Sequence, residues 1–249
     1  MQLPKSSSLV NGLDYLDEVD STNLELARRN QIGPLPSFYA LVAGSQTSGQ
    51  GRLGRAWVSN PNASISVSLL IRSDAPLEKL GWVNLIAGVA MQASVESLCR
   101  SADVKVKWPN DVLVDGKKIS GILSSIQPDG AIVLGVGLNL LPQAGAPEQS
   151  TSLSELGASA DFDEALALFL THFRARWNIF VADPDLAISK TIGELNQVCS
   201  TIGQSVRAEL PDHTVVHGIA KEIDKKGNLV ILTPEPLALA AADVWHLRN

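Results

Sequence analysis

The chain has 249 residues, 45% of them hydrophobic, with 20 Lys plus Arg against 26 Asp plus Glu and a formal net charge of −6. That length and apolar fraction suit one globular unit with room for a small annex, and the net acidity argues against a dominant nucleic-acid partner, whose phosphates are held by Lys and Arg. Cys99 and Cys199 lack C-x-x-C spacing, which excludes a disulfide framework, a redox motif or a cysteine zinc site and leaves two apolar, buried thiols.

No apolar run reaches the roughly 18 residues that span a bilayer, and the start, MQLPKSSS, lacks a signal-type apolar core, so a cytoplasmic protein off the membrane is expected. In chain order, the first expected helix opens at Asp20-Ser21-Thr22-Asn23. Thr22 and Glu25 stand at capping-box spacing, and Leu24 and Ala27 face a core. FYALVA (38–43) reads as a buried strand that empties into GSQTSGQGRLGR, and alternation returns in SISVSLLI (64–71). A single long helix is expected over about 76–99, from the helical recurrence of Leu80, Val83, Ile86, Ala87, Ala90, Met91, Val95 and Leu98.

A meander follows: VKVKW, DVLV, the Asp115-Gly116 turn, KISGILSSI, the Pro128-Asp129-Gly130 turn and AIVLGVGLNL. Tight turns join only antiparallel neighbours, so the sheet is at least partly antiparallel and a purely parallel dinucleotide-binding sheet is excluded. An exposed edge strand is suspected around 131–138. Residues 142–152 form a Pro/Ala/Gly loop, with helices expected over 163–180 and 187–196. From about 199 the short strands SVRAEL, VVHGIAKEI, NLVILT and DVWHLR suggest a small barrel docked on the main body. The expected fold class is α+β: a mixed, largely antiparallel sheet with helices over 1–198, and a small C-terminal β-barrel over 199–249.

Charge is uneven along this chain. Residues 44–118 hold nine bases against six acids, a balance of +3, while the remainder holds eleven bases against twenty acids, a balance of −9. Within the basic segment, Gly49-Gln50-Gly51-Arg52-Leu53-Gly54-Arg55 interleaves glycines that admit close backbone approach with guanidiniums that fork onto phosphate. It is no Walker A loop, and alone it fits an anion site or a surface loop equally. Trp57 suits a purine stack or a core. Lys107-Trp108-Pro109-Asn110-Asp111 fits an ordinary turn or the ligand set of a nucleotide with its Mg2+, Asp111 holding the metal directly or through water. Lys117 and Lys118 beside a hairpin turn read as solvated charges. Asn139 ends an apolar strand and needs a partner, in a ligand or in a turn. His213 and His217 stand four apart on a strand or turn, which separates them by about 13 Å and disfavours a metal pair. His172 and His246 read as structural, and no Ser/His/Asp or Cys/His nucleophile is suggested.

Taken in order, DSTN (20–23), Q-x-x-G-x-G-R-x-G-R-x-W (46–57), KWPND (107–111), G-K-K-I-S-G-I-L (116–123) and G-V-G-L-N (135–139) resemble the biotin protein ligases, with the match running from about Asp14 to the end. The resemblance implies a catalytic domain like those of class II aminoacyl-tRNA synthetases and an SH3-like C-terminal module. It implies formation of biotinyl-5′-AMP from biotin and Mg-ATP, then transfer of biotin to a lysine of a biotin carboxyl carrier domain such as that of acetyl-CoA carboxylase. On the same basis Ser21, Thr22, Asn23 and Gln46 bind the ureido ring, and Gln50, Gly51 and Arg52 close over it, with Gly121 in the biotin pocket. Lys118 bridges biotin's carboxylate and the α-phosphate, and Lys118, Arg52 and Asp111 are the catalytic candidates. Arg52, Arg55, Lys107 and Asn110 meet phosphates, Trp57 and Asn139 lie against adenosine, and Asp111 takes Mg2+.

Two departures stand out. Many family members carry Arg where this chain has Gln50 and Leu53. Bifunctional relatives place a DNA-binding domain before the DSTN helix, and here nineteen residues precede Asp20, so a monofunctional enzyme without DNA binding, monomer or homodimer, is expected. The rival readings are a lipoate ligase, whose Arg-Arg-x-x-Gly-Gly-Gly element is absent, an octanoyl transferase, for which neither cysteine lies in a motif, and a non-catalytic biotin sensor, which would not need the phosphate arginines.

Overall fold

The structure is a computed structural model, which describes residues 1–158, 161–240 and 242–247. Its main body is a seven-stranded sheet in the order β1-β2-β3-β7-β6-β5-β4. The strands are β1 (Gly12–Val19), β2 (Tyr39–Gln46), β3 (Ser64–Ile71), β4 (Val104–Lys107), β5 (Asp111–Val114), β6 (Lys117–Ile126) and β7 (Ile132–Asn139). Only β1 and β2 pair in parallel, joined by the helical crossover such a pair requires; the other five pairings are antiparallel.

β1 escapes a periodicity reading because it is an edge strand: three acids in eight residues, Asp14, Asp17 and Glu18, leave no clean alternation and blunt the edge against further pairing. The suspected edge at 131–138 is the opposite of one. β7 lies between β3 and β6 and is buried throughout, which is what its continuous apolar run was recording. The other true edge, β4, is partly covered by the chain leaving the main body, where Ser200 N donates to Val106 O at 2.8 Å.

Among the described residues, six α-helices complete the body: α1 (Pro4–Ser7), α2 (Thr22–Ile32), α3 (Leu77–Leu80), α4 (Trp82–Leu98), α5 (Phe162–Ala182) and α6 (Pro184–Val198). The single helix expected over 76–99 is two, which meet at Gly81, and Trp82 at the start of the second is buried in the core. Asp161 and Asp183 cap α5 and α6 through Glu164 N and Leu186 N, so both helices start earlier than their apolar periodicity. The capping box at α2 does not form. Ser21 is the N-cap residue without a side-chain bond, Thr22 N and Oγ1 both donate to Gln46 Oε1 on β2, and Glu25 is taken by Arg28 and Arg29.

α4, α5 and α6 pack on one face of the sheet, with stacked rings running Phe169–Phe173–Trp177–Phe180 at 5.1–5.9 Å between neighbouring centroids. On the other face α2 covers only Leu41, Leu70, Ala131 and Val133 through Leu26, and the rest is left open beyond its N-terminus. Cys99 is buried, whereas Cys199, expected to be buried too, is partly exposed where the chain crosses to the second sheet.

That second sheet has five antiparallel strands in the order β11-β10-β9-β8-β12: β8 (Ser205–Glu209), β9 (Val215–Ile223), β10 (Leu229–Leu232), β11 (Leu237–Leu239) and β12 (Asp243–His246). Arg248, part of the expected last strand, lies outside the described residues. The β9–β10 turn, organised by Asp224, plugs onto the main body: Trp82 Nε1 donates to Lys225 O and Trp108 Nε1 to Gly227 O, each at 3.0 Å. Trp82→Phe should cost about 1 kcal/mol for the lost hydrogen bond and Trp82→Ala about 3–5 kcal/mol for the added cavity. Denaturant unfolding measures both, and equal losses would mean that the indole N–H, not its bulk, carries the docking.

Candidate active site

The open part of the α2 face is a cavity of about 900 Å3. Strand register dictates its floor. Ser66, Gly137, Gly121, Asp111 and Lys107 are successive register partners across β3, β7, β6, β5 and β4, one row that spans about 19 Å at the usual strand spacing. The row begins with a neutral hydroxyl, passes two glycines and ends in charges. Side chains two residues along the same strands point to the same side, so Ser68 and Gly135 extend the neutral end.

The glycines are there because side chains lie where their Cβ atoms would be. A Cβ on Gly137 would fall 2.3 Å from Trp57 Cζ2, and one on Gly135 would fall 2.3 Å from Asn23 Oδ1. At Gly121 the nearest atoms, of Lys118 and Trp57, would be 3.2 Å away. Trp57 thus lies flat over the Gly137–Gly121 step, its Nε1 buried and without a hydrogen-bond partner.

At the neutral end every donor and acceptor is uncharged. Gln46 Oε1 accepts from Thr22 N at 2.8 Å, its Nε2 donates to Ser66 Oγ at 3.3 Å, and Ser68 Oγ lies 2.8 Å from Thr22 Oγ1 and 2.5 Å from Asn23 Oδ1. Asn23 Nδ2 donates to Leu123 O at 3.2 Å, and Ser21 is buried beside them. The segment is clamped from outside by Arg28, which forks onto both oxygens of Asp20 and holds its carboxyl down to about 2, while Asp20 O receives Ser48 N.

The opposite end is cationic. Lys118 Nζ stands 2.6 Å from Asp111 Oδ1 and 5.8 Å from the Trp57 ring centre, the geometry of an ion pair with a cation–π contact. Asn110 Nδ2 donates to Ile122 O at 2.8 Å, and its Oδ1 accepts from Arg52 Nη1 at 3.4 Å. Burial pushes the Lys107 ammonium below its ordinary range, with nearby Asp111 opposing that fall and Lys118 adding to it. Burial acts on Arg52 in the same direction, opposed by Asp243 and Asp111. Among the described residues neither cation has a carboxylate within 4.0 Å, so an entering anion would replace the water each has lost.

All fifteen residues singled out from the sequence, Ser21, Thr22, Asn23, Gln46, Gln50, Gly51, Arg52, Arg55, Trp57, Lys107, Asn110, Asp111, Lys118, Gly121 and Asn139, line this one cavity. Lys118 is therefore a wall residue; its neighbour Lys117 is exposed and keeps the solvated reading. Two differ in what they do. Asn139 is committed internally, donating to Thr151 O and accepting from Gln143 Nε2, each at 3.0 Å, and so anchors the 142–152 loop. Arg55 is paired with Asp243 of the second sheet, which also lines the cavity.

The sequence reading missed Ser66 and Ser68, whose signal was serine at every second place of a buried strand, and it quoted Gly135 and Gly137 within a motif without giving them a role. It also missed Gln143, Pro147, Gln149 and Ser150, which form a wall because Lys118 N donates to Gln149 O and Thr151 N to Lys118 O. His213 sits beside Glu209 at 3.3 Å and His246 beside Thr201 at 3.2 Å, and no cluster of three metal-ligating side chains exists among the described residues.

With this geometry in view, comparison with known proteins is direct. The model of the biotin/lipoate A/B protein ligase family matches residues 12–140, and that of the biotin protein ligase C terminal domain matches residues 201–246. The chain belongs to the biotin/lipoate A/B protein ligase family. It is 39% identical to the biotin–[acetyl-CoA-carboxylase] ligase of Mycobacterium tuberculosis, over 95% of this chain and 89% of that one. To the bifunctional ligase/repressor BirA of Bacillus spizizenii it is 31% identical, over 96% of this chain and 75% of the relative. Among solved structures, the biotin protein ligase from Aquifex aeolicus in complex with biotin and ATP superposes with a TM-score of 0.81 at 27% identity, covering 96% of this chain and 100% of that one.

Within this family site, Gly137→Ala should displace Trp57 and weaken binding of the ring-shaped ligand by about tenfold or more, while Gly121→Ala, which meets the flexible end of Lys118, should cost less. Calorimetric titration with biotin ranks the two variants; equal affinities would show that the glycine floor does not shape the site.

Proposed function

We propose that this protein is an ATP-dependent biotin–[acetyl-CoA-carboxylase] ligase, which makes biotinyl-5′-AMP and passes biotin to a lysine of a carrier domain. The observation that carries the reading is the single cavity whose neutral, hydrogen-bonding end and cationic end are joined by a glycine floor, with Lys118 at the junction. A urea is neutral and needs both donors and acceptors, which Ser21, Thr22, Asn23 and Gln46 supply. Phosphates need cations, which Arg52 and Lys107 supply, and the flat Trp57 ring offers a stacking surface between them.

The chemistry follows from charge. A carboxylate oxygen of biotin attacks the α-phosphorus of ATP, forming a P–O bond as the bond to pyrophosphate breaks; both reactants are anions, so cations must already stand where they meet. Lys118 fits that position once its ammonium exchanges Asp111 for the incoming oxygens. The carrier's lysine amine then attacks the acyl carbon, an amide forms, AMP leaves with the bonding pair, and the amine loses a proton. No side-chain nucleophile is required: neither cysteine lines the cavity, and His246, the histidine that does, is held against Thr201. Asp111 fits Mg2+ as one ligand, because its Oδ1 is buried in the cavity wall and paired with the Lys118 ammonium, which an entering phosphate would draw away; a metal held there would neutralise phosphate charge.

We divide the chain into a catalytic domain, 1–198, and a C-terminal module, 199–249. α6 ends at Val198, and the C-terminal family model begins at 201, which support that boundary. The carrier domain is the partner we assign, not DNA, and the cytoplasm the setting; no helix among the described residues is long and apolar enough to cross a membrane.

ATP–pyrophosphate exchange measured with biotin, with lipoate and with neither tests the reading. Exchange should require biotin, and Lys118→Ala should lower it about 100-fold or more with an unchanged circular dichroism spectrum. Exchange supported by lipoate alone, or by neither acid, would overturn it.

A further inference from the structure

The glycine-rich loop, 49–57, is held to the rest of the molecule in an unusual way. Its internal bonds, Gly51 N to Arg55 O at 2.7 Å, Trp57 N to Gly49 O at 2.8 Å and Arg55 N to Arg52 O at 3.1 Å, give it shape, but Leu53, Gly54, Arg55 and Ala56 are exposed. Three glycines leave its backbone free to open. The side-chain contacts that span from its tip to other segments are those of its two arginines. Arg52 Nη1 donates to Ala242 O at 3.3 Å and, at 3.4 Å, to Asn110 Oδ1; Arg55 forms an ion pair with Asp243.

Ala242 and Asp243 both belong to the C-terminal module. Asp243 opens β12, where it pairs in register with Glu209 of β8, and the next residue, Val244, is buried in the module's interior. The Asp243 side chain is 16% exposed against 62% for Arg55, so a largely buried carboxylate receives an exposed guanidinium. Asp243 also opposes the downward pull of burial on the Arg52 guanidinium, which places its carboxylate within the field of the phosphate-facing cations.

We propose that Asp243 is a positioning residue that latches the glycine-rich loop shut through Arg55, making the C-terminal module a working part of the active site that retains the acyl-adenylate. The proposal rests on the ligase reading and deepens it. An acyl-adenylate is a mixed anhydride, lost to water unless it is covered until the carrier's amine arrives. Arg52 then serves the phosphates while Arg55 serves the latch, which separates two arginines that the sequence presents as equivalent.

The test uses the full chain. Biotinyl-AMP is formed from biotin and Mg-ATP, free ligands are removed, and release of the adenylate is timed. Asp243→Asn should speed release about fivefold, the effect of losing one partly exposed ion pair, with the thermal midpoint unchanged. Arg55→Asp should do the same, Asp243→Glu should stay close to wild type, and the charge-swapped pair Arg55→Asp with Asp243→Arg should recover slow release. Unchanged release in Asp243→Asn, or a swapped pair as leaky as the single variants, would overturn the latch while leaving the ligase reading intact. A wild-type chain that forms no adenylate would instead defeat the ligase reading. Limited trypsin digestion without ligand reads the latch independently of biotin: cleavage after Arg52 and Arg55 should be faster in Asp243→Asn, and equal rates would count against the latch.

Discussion

Everything in the site depends on one packing constraint, the close approach of side chains to a sheet floor from which side chains are missing. Gly137 and Gly121 are register partners; Trp57 occupies the space a Cβ on Gly137 would need, and with Lys118 it closes in on Gly121. Because the indole can lie flat there, the loop that carries it crosses the sheet low enough for Arg52 to reach Asn110. The same constraint recurs at Gly135, where Asn23 drops onto β7 and joins Ser68 and Thr22 in a neutral network. Larger residues at these places would keep β7 intact and remove the room for a ligand.

The electrostatics follow from the same row. The row is uncharged from Ser66 to Gly121 and charged only at Asp111 and Lys107, where Lys118 and Arg52 make that end net cationic, so the cavity is polarised before anything enters. Lys107 and Arg52 carry the cost of burial without a carboxylate bonded to them, a cost borne by packing elsewhere and recovered when an anion binds. The acidity of the remainder of the chain leaves this basic strip as the local exception that attracts an anion. Asp111 and Asp243, the carboxylates that face these cations, act in different ways. One holds Lys118 at the junction of the two ends, and the other holds the loop that closes over them.

Much of this was legible in the sequence, for identifiable reasons. Strands with clean period-two patterns, such as SISVSLLI, and turns such as Asp115-Gly116 declare themselves locally, and five short motifs point to the same cavity. What escaped depends on non-local partners. β1 has no alternation because both its faces are partly exposed at an edge, and β7, suspected as an edge, is central because β3 and β6 flank it, a pairing no local pattern states. Thr22 looked like a helix cap, but Gln46, across the β1–β2 crossover, claimed its hydrogen bonds instead. The pairing of Arg55 with Asp243 links residues 188 apart, and no local pattern encodes it.

The central claim is that the two ends of the cavity serve different chemistry, a neutral ring at one and phosphates at the other. Calorimetric titration of biotin alone into Thr22→Val and Lys107→Met tests it most directly. Biotin affinity should fall at least about tenfold in Thr22→Val, where a buried hydrogen-bonding group is lost, and stay close to wild type in Lys107→Met. The reverse pattern, with biotin binding lost on removal of Lys107 and kept without the Thr22 hydroxyl, would contradict the assignment of the two ends.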